Sequence, residues 1–346
     1  MRLVAPPRRA TRPRAFALSL ALALAAALAV AGCTAANDRT ARVTVPQGAS
    51  FNQVADSLTA RGVVRSRLLF KLRARLAGVD RQVRAGVYEF PPHAPMGDVL
   101  AMLAGGKVVA ERFTVPEGFS IFEIAALARE RLGMPVDSFL VAARDTAAAD
   151  SMGLPGPTFE GYLWPDTYLL PPDIGARELV RHMAQRFRTA WRPEWTAQLD
   201  SVGLSQREAV TLASIVEGEA RVDSERTTIA GVYLNRLRRG MPLQADPTVQ
   251  YAIALRQGRK KPRLYEKDYL TPSEYNTYQH PGFPPGPVNN PGASSIAAAL
   301  HPARVPYLYF VASPDGHHTF TSSYDQHLRA VARARRAARD TPPGGR

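Results

Sequence analysis

One stretch of this chain occurs twice. Val43 to Leu58 (VTVPQGASFNQVADSL) and Phe113 to Ala128 (FTVPEGFSIFEIAALA) align at an offset of 70 residues. Each copy reads as a short strand, a Pro-x-Gly turn, a serine cap and an amphipathic helix. Ser50 and Ser120 take the N-cap position. Gln53 and Glu123 stand three residues later, the spacing of a capping box. Val54 and Leu58 in the first copy, and Ile124 and Ala128 in the second, fall on the core-facing stripe. The two copies open two successive α+β regions, so neither an all-helical nor an all-strand chain is expected.

The first region, residues 42–110, continues with SRLLFKLRARLAG, a second helix ending at Gly78. RAGVYEF (Arg84 to Phe90) then alternates like a strand, and MGDVLAMLAGGK is a short helix closed by glycines. A small β-α-α-β unit with this turn resembles a LysM-type carbohydrate-binding module. The alternative is a spacer that holds the second region away from a membrane.

The residues before the repeat point to such a membrane. MRLVAPPRRATRPR is basic, and Ala15 to Gly32 is uncharged and apolar, the pattern of an export signal. Its length is near the lower limit for a spanning helix, roughly 17 residues. It ends in Val30-Ala31-Gly32-Cys33, similar to a bacterial lipobox, and Cys33 is the single cysteine of the chain. Residues 1–33 are therefore expected to be a signal or anchor with Cys33 as a lipidation candidate. An uncleaved spanning helix and an ordinary signal remain as alternatives. Residues 34–41 form a short polar tether. The net charge of +14 fits anionic partners such as membranes or wall polymers. No nucleic-acid-binding signature is present, so nucleic acid is not an expected partner. A basic helix near the C-terminus (DQHLRAVARARRAARD) is expected on the surface, followed by a disordered tail over residues 336–346.

Within the second region, residues 111–335, FEGYLWPDTYLLPP (Phe159 to Pro172) concentrates aromatics and prolines around Glu160, Asp166 and Thr167. Such a segment serves as a sugar-binding rim or as a core plug, with core expected for Trp164 and Tyr168. ARELVRHMAQRFRTAW is an amphipathic scaffold helix, and His182 on it has no partner at metal-ligand spacing.

The chemistry concentrates in LASIVEGEARVDSER (Leu212 to Arg226). Ser205 and Glu208 form a capping box that starts a helix near Gln206. Leu212, Ile215, Val216 and Glu219 follow at i, i+3, i+4 and i+7 and share one apolar face, while Thr211, Ser214 and Gly218 line the other. Glu217 and Glu219 lie about 200° apart around the axis. They serve one site only if the helix ends between them, and Gly218 offers such an ending. Glu219 sits in the apolar face at the negative end of the helix dipole. Desolvation and dipole both raise its pKa, the state a general acid needs near neutral pH. A buried ion pair with Arg221, Arg226 or Arg236 is the structural alternative.

The segment Leu212 to Ile253 (LASIVEGEARVDSERTTIAGVYLNRLRRGMPLQADPTVQYAI) resembles the signature of the endolytic murein transglycosylases, the MltG or YceG-like family. FEGYLWPDTY, YNTY (Tyr275 to Tyr278), GFPPGPVNNPG, AALHPARVPYLYFV and HTF match further family motifs in order. The resemblance covers roughly Val43 to Arg329. It implies a LysM-like domain ahead of a mixed α+β catalytic domain, anchored in the inner membrane and facing the periplasm or wall. It implies cleavage of the MurNAc-β-1,4-GlcNAc bond within nascent peptidoglycan strands, with peptidoglycan synthases as expected partners and no cofactor or metal. The catalytic residue of the family's Glu-x-Glu maps to Glu219. Members are typically held by a spanning helix, so the lipobox-like end is a departure.

Lytic transglycosylation needs one carboxyl where ordinary glycosidases use two. Glu219 is expected to protonate the leaving oxygen and then accept the proton of the muramic acid C6 hydroxyl. The remaining motif residues are expected to bind substrate: Glu217, Gln244, Asp246, Thr248, Tyr275, Asn276, Thr277, Tyr278, Asn290 and His318. For Asp246 a helix N-cap before Pro247 is an equal alternative. Tyr275 and Tyr278 offer stacking surfaces, and Asn290 would point into a cleft from a Pro/Gly-rich loop. His318 would touch substrate or orient Glu219, or be an ordinary hydrogen-bonded strand histidine. A hydrolase using Asp246 or Asp166 as second carboxylate, and a non-catalytic wall-binding lipoprotein, are the competing readings.

Overall fold

A computed structural model of the chain describes residues 39–46, 48–106 and 110–340. The signal or anchor, Cys33 and most of the tether lie outside the described residues. Among the described residues no helix is long and apolar enough to cross a membrane. The chain divides into two compact units, with the division between Glu111 and Arg112.

The first unit contains β1 (Ala41–Val45), α1 (Phe51–Ala60), α2 (Arg67–Leu76), a 3-10 turn (Val79–Arg81), β2 (Gly86–Phe90) and α3 (Met96–Gly105). Strands β1 and β2 pair antiparallel, with Val43 opposite Tyr88. The alternation of β1, with Ala41, Val43 and Val45 buried, supplies one wall of a core that takes Val54 and Leu58 from α1. The capping box forms as the spacing requires: Gln53 N–H donates to Ser50 Oγ, and Ser50 N–H donates to Gln53 Oε1 at 2.8 Å. Gly106 closes α3 with φ 62°, a left-handed conformation that suits a residue without Cβ.

The second unit is mixed α+β and predominantly helical. It runs through β3 (Glu111–Thr114), α4 (Ile121–Leu132), α5 (Val136–Ala143), α6 (Thr146–Ser151), β4 (Thr167–Leu170), α7 (Ala176–Ala190), α8 (Pro193–Val202) and α9 (Gln206–Glu219). It continues with α10 (Arg226–Arg238), α11 (Asp246–Gln257), α12 (Ala293–Leu300), β5 (Tyr309–Ala312), β6 (His318–Thr321) and α13 (Tyr324–Asp340). Its strands form two small sheets, β3 with β4 and β5 with β6. The hairpin β5–β6 is antiparallel, with Phe310 opposite Phe320. β5 spans four residues, and just before it Asn235 Nδ2 takes the carbonyls of Val305 and Tyr307 that a strand partner would otherwise use. Helix α13 extends to Asp340, so residues 336–340, assigned to a tail by sequence, are helical.

Helix α9 is the centre of this unit. It packs against α8, α10, α11 and α12, and every residue from Ala209 to Val216 is buried. The sequence reading gave Thr211 and Ser214 to an outer side, but they are 1% and 0% exposed. Their hydroxyls turn back on the helix, Thr211 to Arg207 O and Ser214 to Thr211 O. The loop Val288–Asn290 covers that side: Val288 N–H donates to Ser214 Oγ and Asn289 Nδ2 donates to Ser214 O. Buried hydroxyls are tolerated because each is paired.

Candidate active site

Ser205 and Glu208 fix the start of α9 through a reciprocal capping box. The helix does not end between its two glutamates. It runs through Gly218 and stops at Glu219, where Ala220 turns to extended backbone. The two carboxyls therefore leave the last turn in different directions and meet different partners.

Glu217 is structural. It receives Arg226 Nη1 at 3.1 Å and the Gly292 N–H at 3.0 Å, with Glu217 and Arg226 side chains 7% and 11% exposed. It ties α9 to α10 and to the start of α12, so its expected role as a substrate contact is corrected. Arg226 also holds Ser295 Oγ at 2.6 Å.

Glu219 is only partly exposed. The Tyr233 hydroxyl donates to Glu219 Oε1 at 2.9 Å from the neighbouring helix α10. Burial pushes the Glu219 carboxyl up to about 7; the nearby Asp246 charge adds to the rise, while the Tyr233 hydrogen bond, the Asp246 backbone and Arg221 oppose it. Of the three arginines weighed as ion-pair partners, Arg226 is committed to Glu217. Arg236 is turned to the carbonyls of Leu308 and Leu243, at 2.8 and 2.6 Å. The result is an acid that keeps its proton close to neutrality and has one oxygen held in place.

The loop before α11 brings Gln244 and Asp246 to this point. Asp246 is the first residue of α11, not its cap, which is Ala245. The Asp246 carboxylate accepts from the Tyr278 hydroxyl at 2.8 Å and from Tyr269 at 3.5 Å. The rings of Tyr278 and Tyr269 lie 4.5 Å apart. Tyr278 is thus tied down by its hydroxyl, and any stacking role falls to the ring alone. Gln244 is exposed and has φ 51°, a left-handed backbone that costs a non-glycine residue of order 1 kcal/mol or more. Its N–H is held by Thr277 O at 3.1 Å.

Several expected contacts are inward supports instead. Thr248 and Thr277 are buried and share a hydrogen bond at 2.8 Å, and Thr277 Oγ1 accepts from Ala245 N–H at 3.0 Å. Asn276 is fully buried and donates to Tyr269 O and Thr271 O, closing the turn that precedes YNTY. Tyr275 packs on Tyr251, ring centroids 4.9 Å apart. Asn290 does not point into a cleft. Its amide donates to Phe119 O and Glu160 Oε1 and its carbonyl accepts from Leu163 N–H at 2.8 Å. Glu160 in turn accepts the Ile121 N–H at the start of α4. This inward cluster joins the second repeat copy to the PVNN loop. Asp166 is paired with Arg186 at 2.7 Å, which leaves Asp246 as the carboxylate near Glu219.

His318 reaches Glu219 only through intermediaries. Its Nδ1 bonds Glu225 Oε2 at 2.7 Å. Its ring meets Phe310 edge-on at 5.3 Å, and Phe310 meets Tyr233 edge-on at 5.7 Å. Tyr233 and Tyr269 were missed by sequence reasoning. Tyr233 is 14 residues from Glu219 on a different helix; the available signal was a tyrosine within the buried apolar run Ile229–Leu234, whose hydroxyl needs a partner. Among the described residues no group of three or more His, Cys, Asp or Glu side chains gathers to hold a metal.

Fold and site together define an α+β protein built around one half-buried glutamic acid at the end of its central helix. The description of the YceG-like family matches residues 43–333, and the chain belongs to that family. It is 30% identical over 307 residues to the endolytic murein transglycosylase of Bacillus subtilis, covering 84% of each chain. It is 27% identical over 318 residues to the Streptococcus pneumoniae protein of the same name, covering 84% of this chain and 57% of that one. The crystal structure of a YceG-like protein from Listeria monocytogenes superposes with a TM-score of 0.58 at 29% identity, over 85% of this chain and 99% of that one.

Proposed function

We propose that this chain is an endolytic murein transglycosylase that cuts the MurNAc-β-1,4-GlcNAc bond inside nascent glycan strands and leaves 1,6-anhydroMurNAc ends. The observation that carries the reading is Glu219, a single carboxyl poised at about 7 and braced by Tyr233. The curated relatives bear the same activity in their names.

In this mechanism protonated Glu219 donates to the glycosidic oxygen as the bond to the muramic C1 breaks. The C6 hydroxyl of the same sugar attacks C1, and its proton passes to the Glu219 carboxylate. One residue serves as acid and then base, so a pKa close to working pH suits both halves. Asp246, whose carboxyl is held by the Tyr278 and Tyr269 hydroxyls, is the neighbour whose charge adds to the rise of the Glu219 pKa. Gln244 is exposed at the rim and is available to a sugar hydroxyl or N-acetyl group. The first unit acts as a LysM-like glycan-binding module, and the apolar run ending at Cys33 anchors the chain in the inner membrane with both units outside it, near the synthases that supply the strands.

A hydrolase of the same bond, with Asp246 as second carboxylate, is the second reading, because Asp246 lies close enough to raise the Glu219 pKa. Digestion of uncrosslinked glycan followed by mass spectrometry separates the two. Anhydro ends are expected; reducing ends favour the hydrolase. Glu219→Gln cleaving as well as the wild type would remove Glu219 from the mechanism.

A further inference from the structure

Helix α2 is amphipathic, but four of its leucines face outward. Phe70 and Ala74 are its buried residues. At about 100° per residue, Leu68, Leu72, Leu76 and Leu69 fill an arc on the opposite side. They are 78%, 55%, 81% and 44% exposed. Lys71 and Arg75 border this arc on one side and Arg73 on the other, and the helix RLLFKLRARL contains no acidic residue. A surface helix normally turns its leucines to the core and its charges to water. A contiguous apolar arc left outside marks an interaction surface.

We propose that the Leu68–Leu72–Leu76 face of α2 docks on an anionic lipid surface. The inference rests in part on the membrane-anchored reading above. Cationic side chains beside an apolar arc are the arrangement that lets the leucines enter the acyl boundary while Lys71 and Arg75 reach the phosphate headgroups. A second copy of the same face would instead bring cationic borders together. The position in the chain agrees. Only residues 34–38 separate Cys33 from Arg39, where the described chain begins. At roughly 3.5 Å per residue such a stretch reaches on the order of 20 Å at most, so the first unit is held within a tether's length of the bilayer. Docking through α2 fixes that unit flat on the membrane.

The test uses the full chain with Cys33 kept, reconstituted in vesicles. An environment-sensitive fluorophore is carried by a noncanonical amino acid put in place of Leu72 or, as control, of Thr44 on the exposed side of β1. In vesicles containing phosphatidylglycerol the label at 72 shifts to the blue and the label at 44 does not. The shift shrinks in phosphatidylcholine alone and at high salt. Adding Leu68→Glu and Leu76→Glu abolishes it while the chain still floats with the vesicles. An unshifted label at 72 in a chain that floats overturns the docking and leaves the anchor standing. A chain that does not float overturns both. A blue-shifted label before lipid is added means another protein surface covers the face, and also overturns the proposal.

Discussion

The Tyr233 hydroxyl donates to Glu219 Oε1 at 2.9 Å across the gap between α9 and α10. A donor aimed at a carboxylate favours its charged form, so Tyr233 restrains a pKa that burial and Asp246 push upward. The tyrosine both orients the acid and tunes it.

Glu219→Gln is expected to lower glycan cleavage by about 10²–10⁴-fold, the usual worth of a general acid–base. The variant should fold and melt no lower than the wild type, because a neutral amide is cheaper to bury than a carboxylate. Product counting by mass spectrometry and a thermal melt check both halves.

Tyr233→Phe and Asp246→Asn should move the pH profile in opposite directions. The proposed mechanism requires protonated Glu219, so activity is expected to fall as pH rises through about 7. Removing the Tyr233 donor raises the Glu219 pKa and shifts the alkaline limb up. Removing the Asp246 charge lowers the pKa and shifts that limb down. Profiles of kcat/KM against pH for the three proteins decide this, and equal shifts would contradict the assigned causes.

Glu217→Ala should destabilise without touching the chemistry directly. It leaves Arg226 with only the exposed Asp223 carboxylate and Ser295 as partners, and the Gly292 N–H without its acceptor. Breaking a buried pair from one side costs up to about 3–5 kcal/mol, and the Asp223 pair that remains reduces the loss below that. Chemical denaturation should show that loss, and the alkaline limb of the variant that remains folded should stay in place.

Glu160 predicts how stability depends on pH. Burial pushes its carboxyl up to about 8, against the opposing Ile121 N–H and Tyr251 hydrogen bonds. The folded state therefore holds a proton that the unfolded chain releases from its ordinary value of 4.5 upward. The stabilisation is complete below that value and is lost as pH rises to about 8, at a limiting slope of about 1.4 kcal/mol per unit. Glu160→Gln should flatten the denaturation midpoint over this window.

Gly218→Ala places a Cβ 2.6 Å from Pro247 Cγ and 2.8 Å from its Cβ. The proline ring is stiff, so α9 and α11 must separate, at about 1–3 kcal/mol. Because Pro247 follows Asp246, kcat should fall more than KM rises.

Local signals were legible in the sequence. Both repeat helices, their capping boxes and the start of α9 follow from spacing alone, because a cap is satisfied within four residues. The placement and raised pKa of the Glu219 carboxyl were legible because a carboxyl in an apolar stripe is costly and so conspicuous. What stayed hidden depends on distant chain. Thr211 and Ser214 look like an outer face until the Val288–Asn289 loop, some 75 residues on, closes over them. Thr248, Thr277, Asn276 and Asn290 have the composition of sugar contacts, yet their polar atoms hold backbone. A hydroxyl or amide reads the same in sequence whether it faces a ligand or a carbonyl.

The last turn of α9 carries a rivet at 217 and a tool at 219, set on opposite flanks of one rod. Inserting or deleting a single residue upstream within the rod rotates both by about 100°, so the rivet misses its arginine in the same event that the tool misses its tyrosine. The length of this helix is therefore fixed by both carboxyls at once.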